Sequence, residues 1–231
     1  MIILDNYFDK IFIINLASRS DRWAHILKIF QNLNMCNFER FPAIKPTLEM
    51  VPKLYQSYFK RVNHSDGSDE TYIVGCYGCR LSHLSVIKLA LERKYQKVLI
   101  LEDDVEFAPK SQELFSKAVQ QLENFPWEML YFTGNHTGKY EQVTKNLIRI
   151  HGSQSAVSYA VNNNIYKKIL DKAANHYKHI DVFYKEMIHP NGKSYCIQPH
   201  LTWNKADYSD IEQGFRKYKK LNPVHEDWLK R

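Results

Sequence analysis

Glu102, Asp103 and Asp104 are the residues of this sequence whose types and spacing most plainly offer chemistry. They follow the run Lys97-Val98-Leu99-Ile100-Leu101 without a break. An apolar run of that length reads as a strand buried on both faces, as in a parallel sheet. Carboxylates are almost never fully buried without a partner, so the strand is expected to surface at its C-terminal end. In open α/β sheets ligands bind at that end. Side chains alternate along a strand, so Glu102 and Asp104 share a face if the extended geometry continues, and Asp103 points the other way. Two carboxylates that close repel, and a hard divalent cation relieves this. The chemistry on offer is an acidic site for a metal and the phosphates it carries. A solvated acidic strand end, or one paired with Arg, fits these three residues equally well.

Two further stretches carry polar groups next to regular structure. Ile11-Phe12-Ile13-Ile14 reads as a first buried strand, and Trp23, Ile26, Leu27, Phe30 and Leu33 fall at the spacing of an amphipathic helix. The loop between them holds Asn15, Leu16, Arg19 and Arg22, where a nucleotide could lie. Ser18 or Ser20 can cap the helix and Asp21 suits its first turn. Arg19 and Arg22 stand against the helix dipole, which favours a reason for them other than propensity. The second stretch is Gly75-Cys76-Tyr77-Gly78-Cys79-Arg80-Leu81-Ser82-His83. Its glycines loosen the backbone ahead of a helical pattern on Leu81, Leu84, Ile87 and Leu91. Ser82 and His83 then occupy a first turn, where free N–H groups and the dipole favour an anion. His83 there touches a phosphate or sugar, or simply caps or packs locally.

The elements that must hold these groups can be read in order. Phe38–Phe41 is a second short strand. Residues 42–71 are the least regular part, an irregular insertion or lid broken by Pro42, Pro46 and Pro52, with a short helix over 54–59 and a polar loop over 63–69. Pro109 opens a helix carrying Leu114, Phe115, Val119 and Leu122. Trp127–Phe132 is a buried strand. Leu147–His151 and Ala156–Val161 are two more, candidates to pair with each other. Asn162–Asn164 can cap a helix through Tyr166, Ile169 and Leu170, and Tyr195–Ile197 is a last short strand. Strands and helices alternate early and strands cluster late. That is α/β, with a mostly parallel sheet flanked by helices and a smaller antiparallel portion late in the chain.

The chain has 231 residues, 44% hydrophobic and 13% aromatic, enough for one large domain with its own core. A net charge of +7 favours anionic partners. The one dense basic run, Arg216-Lys217-Tyr218-Lys219-Lys220, lies in a basic terminal segment (212–231); it is a solvated face or a weak membrane-surface patch. Scattered charge without a recognition motif speaks against nucleic-acid binding. Four cysteines form no disulfide framework, and Cys76-Tyr77-Gly78-Cys79 lacks both a second pair for zinc and a thioredoxin-like setting. With no secretory leader pattern and no membrane-length apolar run, a cytoplasmic location is the expectation.

Taken together and in order, these landmarks resemble glycosyltransferase family 25, which includes lipopolysaccharide-type and collagen-type galactosyltransferases. Ile13-Ile14-Asn15-Leu16 with Arg19 and Asp21-Arg22 looks like the family's opening. Gly75-x-x-Gly78-Cys79-x-x-Ser82-His83 looks like its central signature, and Leu101-Glu102-Asp103-Asp104 like its acidic element. Trp127–Gly134, Ser158-Tyr159, Ile180-Asp181-Val182 and Ser209-Asp210-Ile211 look like later landmarks. The 42–71 stretch matches little, so acceptor identity is left unsupported.

The resemblance implies a GT-A type, Rossmann-like fold in a single domain over 1–231. It implies a UDP-sugar donor of galactose or glucose, and manganese or magnesium at the acidic motif. The implied reaction is an inverting transfer to a hydroxyl of a glycan or protein acceptor. By this resemblance Asp104 is the metal ligand, with His200 as a second ligand before Ser209-Asp210. Asn15, Leu16, Arg19, Arg22, Ser82, His83, Glu102 and Asp103 face the donor. Asp181 is the candidate general base, its other role being a helix N-cap, and Asp210 is the runner-up. A nucleotidyltransferase or phosphohydrolase using the same acidic site, or a basic nucleic-acid-binding protein, are the competing readings. Oligomeric state is left open.

Overall fold

The computed structural model describes residues 3–62 and 70–216 of the chain. Its strands are β1 (Lys10–Asn15), β2 (Phe38–Pro42), β3 (Lys97–Glu102), β4 (Val105–Phe107), β5 (Met129–Tyr131), β6 (Asn135–His136), β7 (Tyr140–Thr144), β8 (Leu147–Ile150), β9 (Ser153–Gln154), β10 (Ser158–Asn162), β11 (Ser194–Ile197), β12 (Thr202–Asn204), β13 (Asp207–Ser209) and β14 (Gly214–Arg216). Its helices are α1 (Leu4–Tyr7), α2 (Ser20–Asn32), α3 (Lys53–Val62), α4 (Glu70–Glu92), α5 (Ser111–Leu122), α6 (Asn163–Ala173) and α7 (Ile180–Met187).

Eight strands form one sheet in the order β2-β1-β3-β10-β5-β11-β8-β7. Six of them run in one direction, and β8 and β10 run against them. The α/β class with a mostly co-directional sheet is as the sequence implies. The antiparallel part is placed differently from expectation: β10 is threaded into the middle, between β3 and β5. β8 and β10 do not pair with each other, because β5 and β11 stand between them.

β3 shows why the sheet is built around it. Val98, Leu99, Ile100 and Leu101 are all fully buried. Leu99 and Leu101 enter one core with Ile13, Ile26, Phe115 and Val119, while Val98 and Ile100 enter the other with Val86, Ile87, Tyr159 and Ile169. That is the period-two alternation of a strand with helices on both faces. A third cluster, with Val51, Tyr55, Phe59, Ile73 and Cys76, joins α3 to α4. The stretch expected to be irregular therefore contains α3 and a 3-10 turn at Leu48–Met50; its polar loop over 63–69 lies outside the described residues, as does the basic run from 217 onward. Among the described residues no helix is long and apolar enough to cross a membrane.

The central glycines do not break the chain ahead of a helix. α4 runs through both, and Ser82 and His83 sit in its middle, so the anion-binding first turn expected there does not exist. Gly78 is needed for another reason. A Cβ on it would lie 2.5 Å from the Ile44 carbonyl oxygen and 2.9 Å from Pro46 Cδ. Ser82 Oγ completes the junction: it accepts from Ile44 N at 2.8 Å and donates to the Gly78 carbonyl at 2.7 Å. At α2 the structure also corrects the cap: Arg19 takes the N-cap position and neither serine caps the helix. Asn162 caps α6 as expected, accepting from Asn164 N.

His189 shows how a polar group is held in this core. Ser153 N–H donates to its Nδ1 at 3.2 Å, so the neutral ring carries its proton on Nε2 and donates to the Tyr131 hydroxyl at 3.0 Å. Burial pushes its pKa down to about 3.

Two predictions follow from these contacts. Gly78→Ala gains about 1 kcal/mol of helix propensity, but the forced contact costs about 1–3 kcal/mol. Urea unfolding should show a net loss of stability; an unchanged midpoint would mean that the 43–46 segment yields freely. For His189, the unfolded chain takes up a proton below the ordinary value of 6.5, whereas the folded chain resists until about 3. Stability is thus lost as pH falls through that window. Relative to His189→Gln, the parent should lose about 1.4 kcal/mol per pH unit there, measured by denaturation at several pH values.

Candidate active site

Only four residues of β3 are wholly apolar, and its end is where the polar chemistry begins. The strand stops at Glu102 and the chain turns through Asp103 and Asp104 into β4. The turn breaks the alternation, so Asp103 does not point away. All three carboxylates line one cavity of about 300 Å³, with Leu16, Arg22, Lys45, Ser82, His83, Asn204, Asp207 and Asp210.

Each carboxylate has a different partner. Glu102 Oε1 lies 3.2 Å from His83 Nε2 and 3.9 Å from Cys79 Sγ. The other ring nitrogen of His83 meets the Tyr159 hydroxyl at 2.9 Å, and Tyr159 meets Tyr184 at 3.1 Å. With a carboxylate at Nε2 the imidazole donates there, and its other nitrogen meets Tyr159, so a buried chain of hydrogen bonds orients Glu102. Burial pushes the Cys79 thiol well up, which keeps it a protonated donor. Asp103 is buried and accepts from Arg22 Nη1 at 2.8 Å and Asn15 Nδ2 at 2.5 Å. Asp104 accepts only from Asn204 Nδ2, at 3.3 Å to each oxygen, and has no ion pair among the described residues. Burial first, and then the charge of Glu102, push its pKa up to about 7.

The arginines expected to wait for phosphate are already engaged. Arg19 binds Asp21, Asp207 and Asp210, the last at 2.6 Å. Arg22 binds Asp103 and Asp207. These contacts supply the reason for two arginines at a helix start: they tie β13 to the sheet and close the cavity's rim. Asn15 is also structural. It is buried, donates to Asp103 and the Arg19 carbonyl, and accepts from Arg40, so its hydrogen-bonding capacity is used up.

Four expected site residues do not line the cavity: Asn15 and Arg19, held as described above, and Asp181 and His200. Asp181 lies in the first turn of α7, where its oxygens accept from Ser155 N and Val182 N. The N-cap position belongs to His179, and Asp181 does not line the cavity. His200 stands beside Thr133, His136 and Cys196, apart from Asp104. Conversely, Lys45, Asn204 and Asp207 belong to the cavity and went unread in the sequence. Lys45 falls in the irregular stretch, and nothing local marks Asn204 or Asp207 as partners of Asp104 and the arginines.

A divalent cation suits this donor set. Glu102 and Asp104 present hard oxygen donors to the same cavity, and Asp104 lacks any cationic partner of its own. The basic side chains lining the cavity are Arg22, committed to Asp103 and Asp207, and Lys45.

The family model for glycosyltransferase family 25 (LPS biosynthesis protein) matches residues 8–200. The chain belongs to this family. A glycosyltransferase 25 family member of Drosophila melanogaster is 28% identical over 132 residues, 54% of this chain and 21% of that protein. Procollagen galactosyltransferase 2 of Homo sapiens is 28% identical over 138 residues, 54% of this chain and 20% of its own length. This chain thus spans about a fifth of these relatives. Among solved structures, the STIV protein A197 superposes with a TM-score of 0.50 at 12% identity, covering 90% of this chain and 93% of that one, a likeness of fold.

Arg22 carries the clearest energetic test. Arg22→Ala leaves Asp103 buried without its charge partner, which should cost on the order of 3 kcal/mol. Adding Asp103→Asn should recover much of that loss. If the double variant is no more stable than Arg22→Ala in denaturant titrations, the ion pair is not what holds the turn.

Proposed function

We propose that this chain is a metal-dependent, inverting glycosyltransferase that moves a hexose from a UDP-sugar to a hydroxyl of a glycan or protein. Family membership supports the transferase class. One observation carries the rest: three carboxylates at the end of a buried strand meet in a cavity that also holds Arg22 and Lys45. The pairing of acidic and basic groups fits a donor that is itself an anion carrying a metal. The name of the human relative makes UDP-galactose the first donor to test.

Asp104, with Glu102 beside it, would hold manganese or magnesium. When bound, such an ion neutralises the charge that grows on a departing nucleoside diphosphate. The chain's own residues do the remaining work. Lys45, which lines the cavity, faces the diphosphate. His83, fixed by Tyr159, keeps Glu102 aimed into the cavity. Asp210 is assigned the proton of the acceptor hydroxyl. It lines the cavity, and its ion pair with Arg19 uses one oxygen, leaving the other without a hydrogen bond among the described residues. Inversion asks for such a base on the side opposite the leaving group.

Thermal-shift titration with UDP-galactose, UDP-glucose, GDP- and CMP-sugars, with and without manganese, tests the donor. A metal-dependent shift with a UDP-sugar is expected in the parent and should be lost in Asp104→Ala. Absence of any shift with every nucleotide sugar overturns the reading. In turnover assays Asp210→Asn should lose about 10²–10⁴-fold in kcat with donor binding retained. Asp181→Asn should keep near-normal turnover and, by weakening the bond from Ser155 N, lose about 1 kcal/mol of stability. The reverse ranking would make Asp181 the base.

A further inference from the structure

At the C-terminal end of β11, His136, Cys196 and His200 bring two imidazole nitrogens and a thiol sulfur within 4.8 Å of one another. None of the three lines the acidic cavity. The Nε2 atoms of both histidines are shut off from solvent and have no hydrogen-bond partner among the described residues. A buried polar atom left unpaired costs about 1–3 kcal/mol, so two of them on the rings beside one thiol ask for an explanation.

We propose that His136, Cys196 and His200 form a zinc-binding site. The orientation of the rings supports it. His136 Nδ1 meets Ser153 Oγ at 3.1 Å, so the hydrogen bonding of this ring is taken up at Nδ1. Its Nε2 is left as the nitrogen available to a metal. His200 has the same arrangement, with Nδ1 3.2 Å from Thr133 Oγ1. Metal-bound histidines characteristically hold the second ring nitrogen in a hydrogen bond of this kind. Burial keeps both rings neutral, as ligands must be, with pKa values pushed down to about 4. Gly134 leaves the room this needs: a Cβ there would come within 3.1 Å of the His136 ring and would collide with Ser153 Oγ.

The donor set selects the ion. Two imidazoles and a thiol suit zinc, whereas manganese, magnesium and calcium prefer the oxygens of the acidic cavity. Bonds of about 2.0–2.3 Å require the three donor atoms to draw in by roughly 1 Å. A fourth position is left for water. The Cys196 thiol is held protonated by burial, its weak contact being with the Ile197 carbonyl at 3.6 Å. Binding forms a Zn–S bond, breaks the S–H bond and releases that proton to solvent, one per ion. The ion would clip β6 to the C-terminal end of β11 and to the segment leading into β12.

Chelator-stripped protein, titrated with zinc against a chromophoric competitor, should take up one tightly held ion, release one proton in a weakly buffered indicator assay, and melt at a higher temperature. Cobalt as a probe should give a thiolate-to-cobalt charge-transfer band. His136→Gln, which leaves the buried Cys196 and His200 untouched, should weaken zinc binding at least tenfold. Cys196→Ser should abolish both the band and the proton. Asp104→Asn should retain all of these signals. No stoichiometric uptake, uptake without the cobalt–thiolate band, uptake indifferent to His136→Gln, or uptake lost in Asp104→Asn would each overturn the assignment.

Discussion

Three consecutive carboxylates at the end of a buried strand repel each other, and the structure depends on how that repulsion is met. Asp103 is neutralised from within, by Arg22 and by the amide of Asn15. Glu102 is steadied by a histidine and a thiol. Asp104 is given only the amide of Asn204. The compensation is deliberately unequal in its effect: one carboxylate is locked into the fold, one is aimed, and one is left with unmet demand for positive charge.

Everything around the triplet serves this division. β1 and β3 are parallel neighbours, so Asn15 and Glu102 end at the same edge of the sheet, with α2 leading Arg22 back over the turn. β10, threaded antiparallel beside β3, delivers Tyr159 under His83. α4 crosses close to the 43–46 segment because Gly78 has no side chain, which sets both the height of His83 and the place of Lys45 at the cavity. Mixed strand direction is thus a functional matter: a wholly parallel sheet would not put β10 there.

Much of this was legible in the residues. The unbroken apolar run of Val98–Leu101 and the helical spacing of Trp23 to Leu33 named β3 and α2, because burial on both faces and on one stripe leave distinct periods. The acidic triplet announced the site for the same reason, since carboxylates seldom follow such a run. What failed were inferences from local rules that tertiary contact overrides. Glycines at 75 and 78 read as a break, yet they lie within a helix that needs a bare backbone for its neighbour. Strict alternation turned Asp103 away, whereas a tight turn brought it in. Asp181 and His200 were placed by resemblance alone, and sequence order does not say which side of a sheet a residue will reach. Asn204 and Asp207 could not be found at all, because their partners lie about a hundred or more positions away.

Those long separations order the making of the site. The Arg22–Asp103 pair spans 81 positions and needs only the first half of the chain, while the Arg22–Asp207 pair spans 185. A chain emerging N-terminus first from the ribosome can set its acidic turn against α2 early. The rim formed by 204–213 arrives only when nearly all the described fold has been made. Through that interval Arg19 has only its neighbour Asp21 and the cavity has no outer wall. The nascent protein therefore carries a nearly finished sheet before its acidic cavity has a rim.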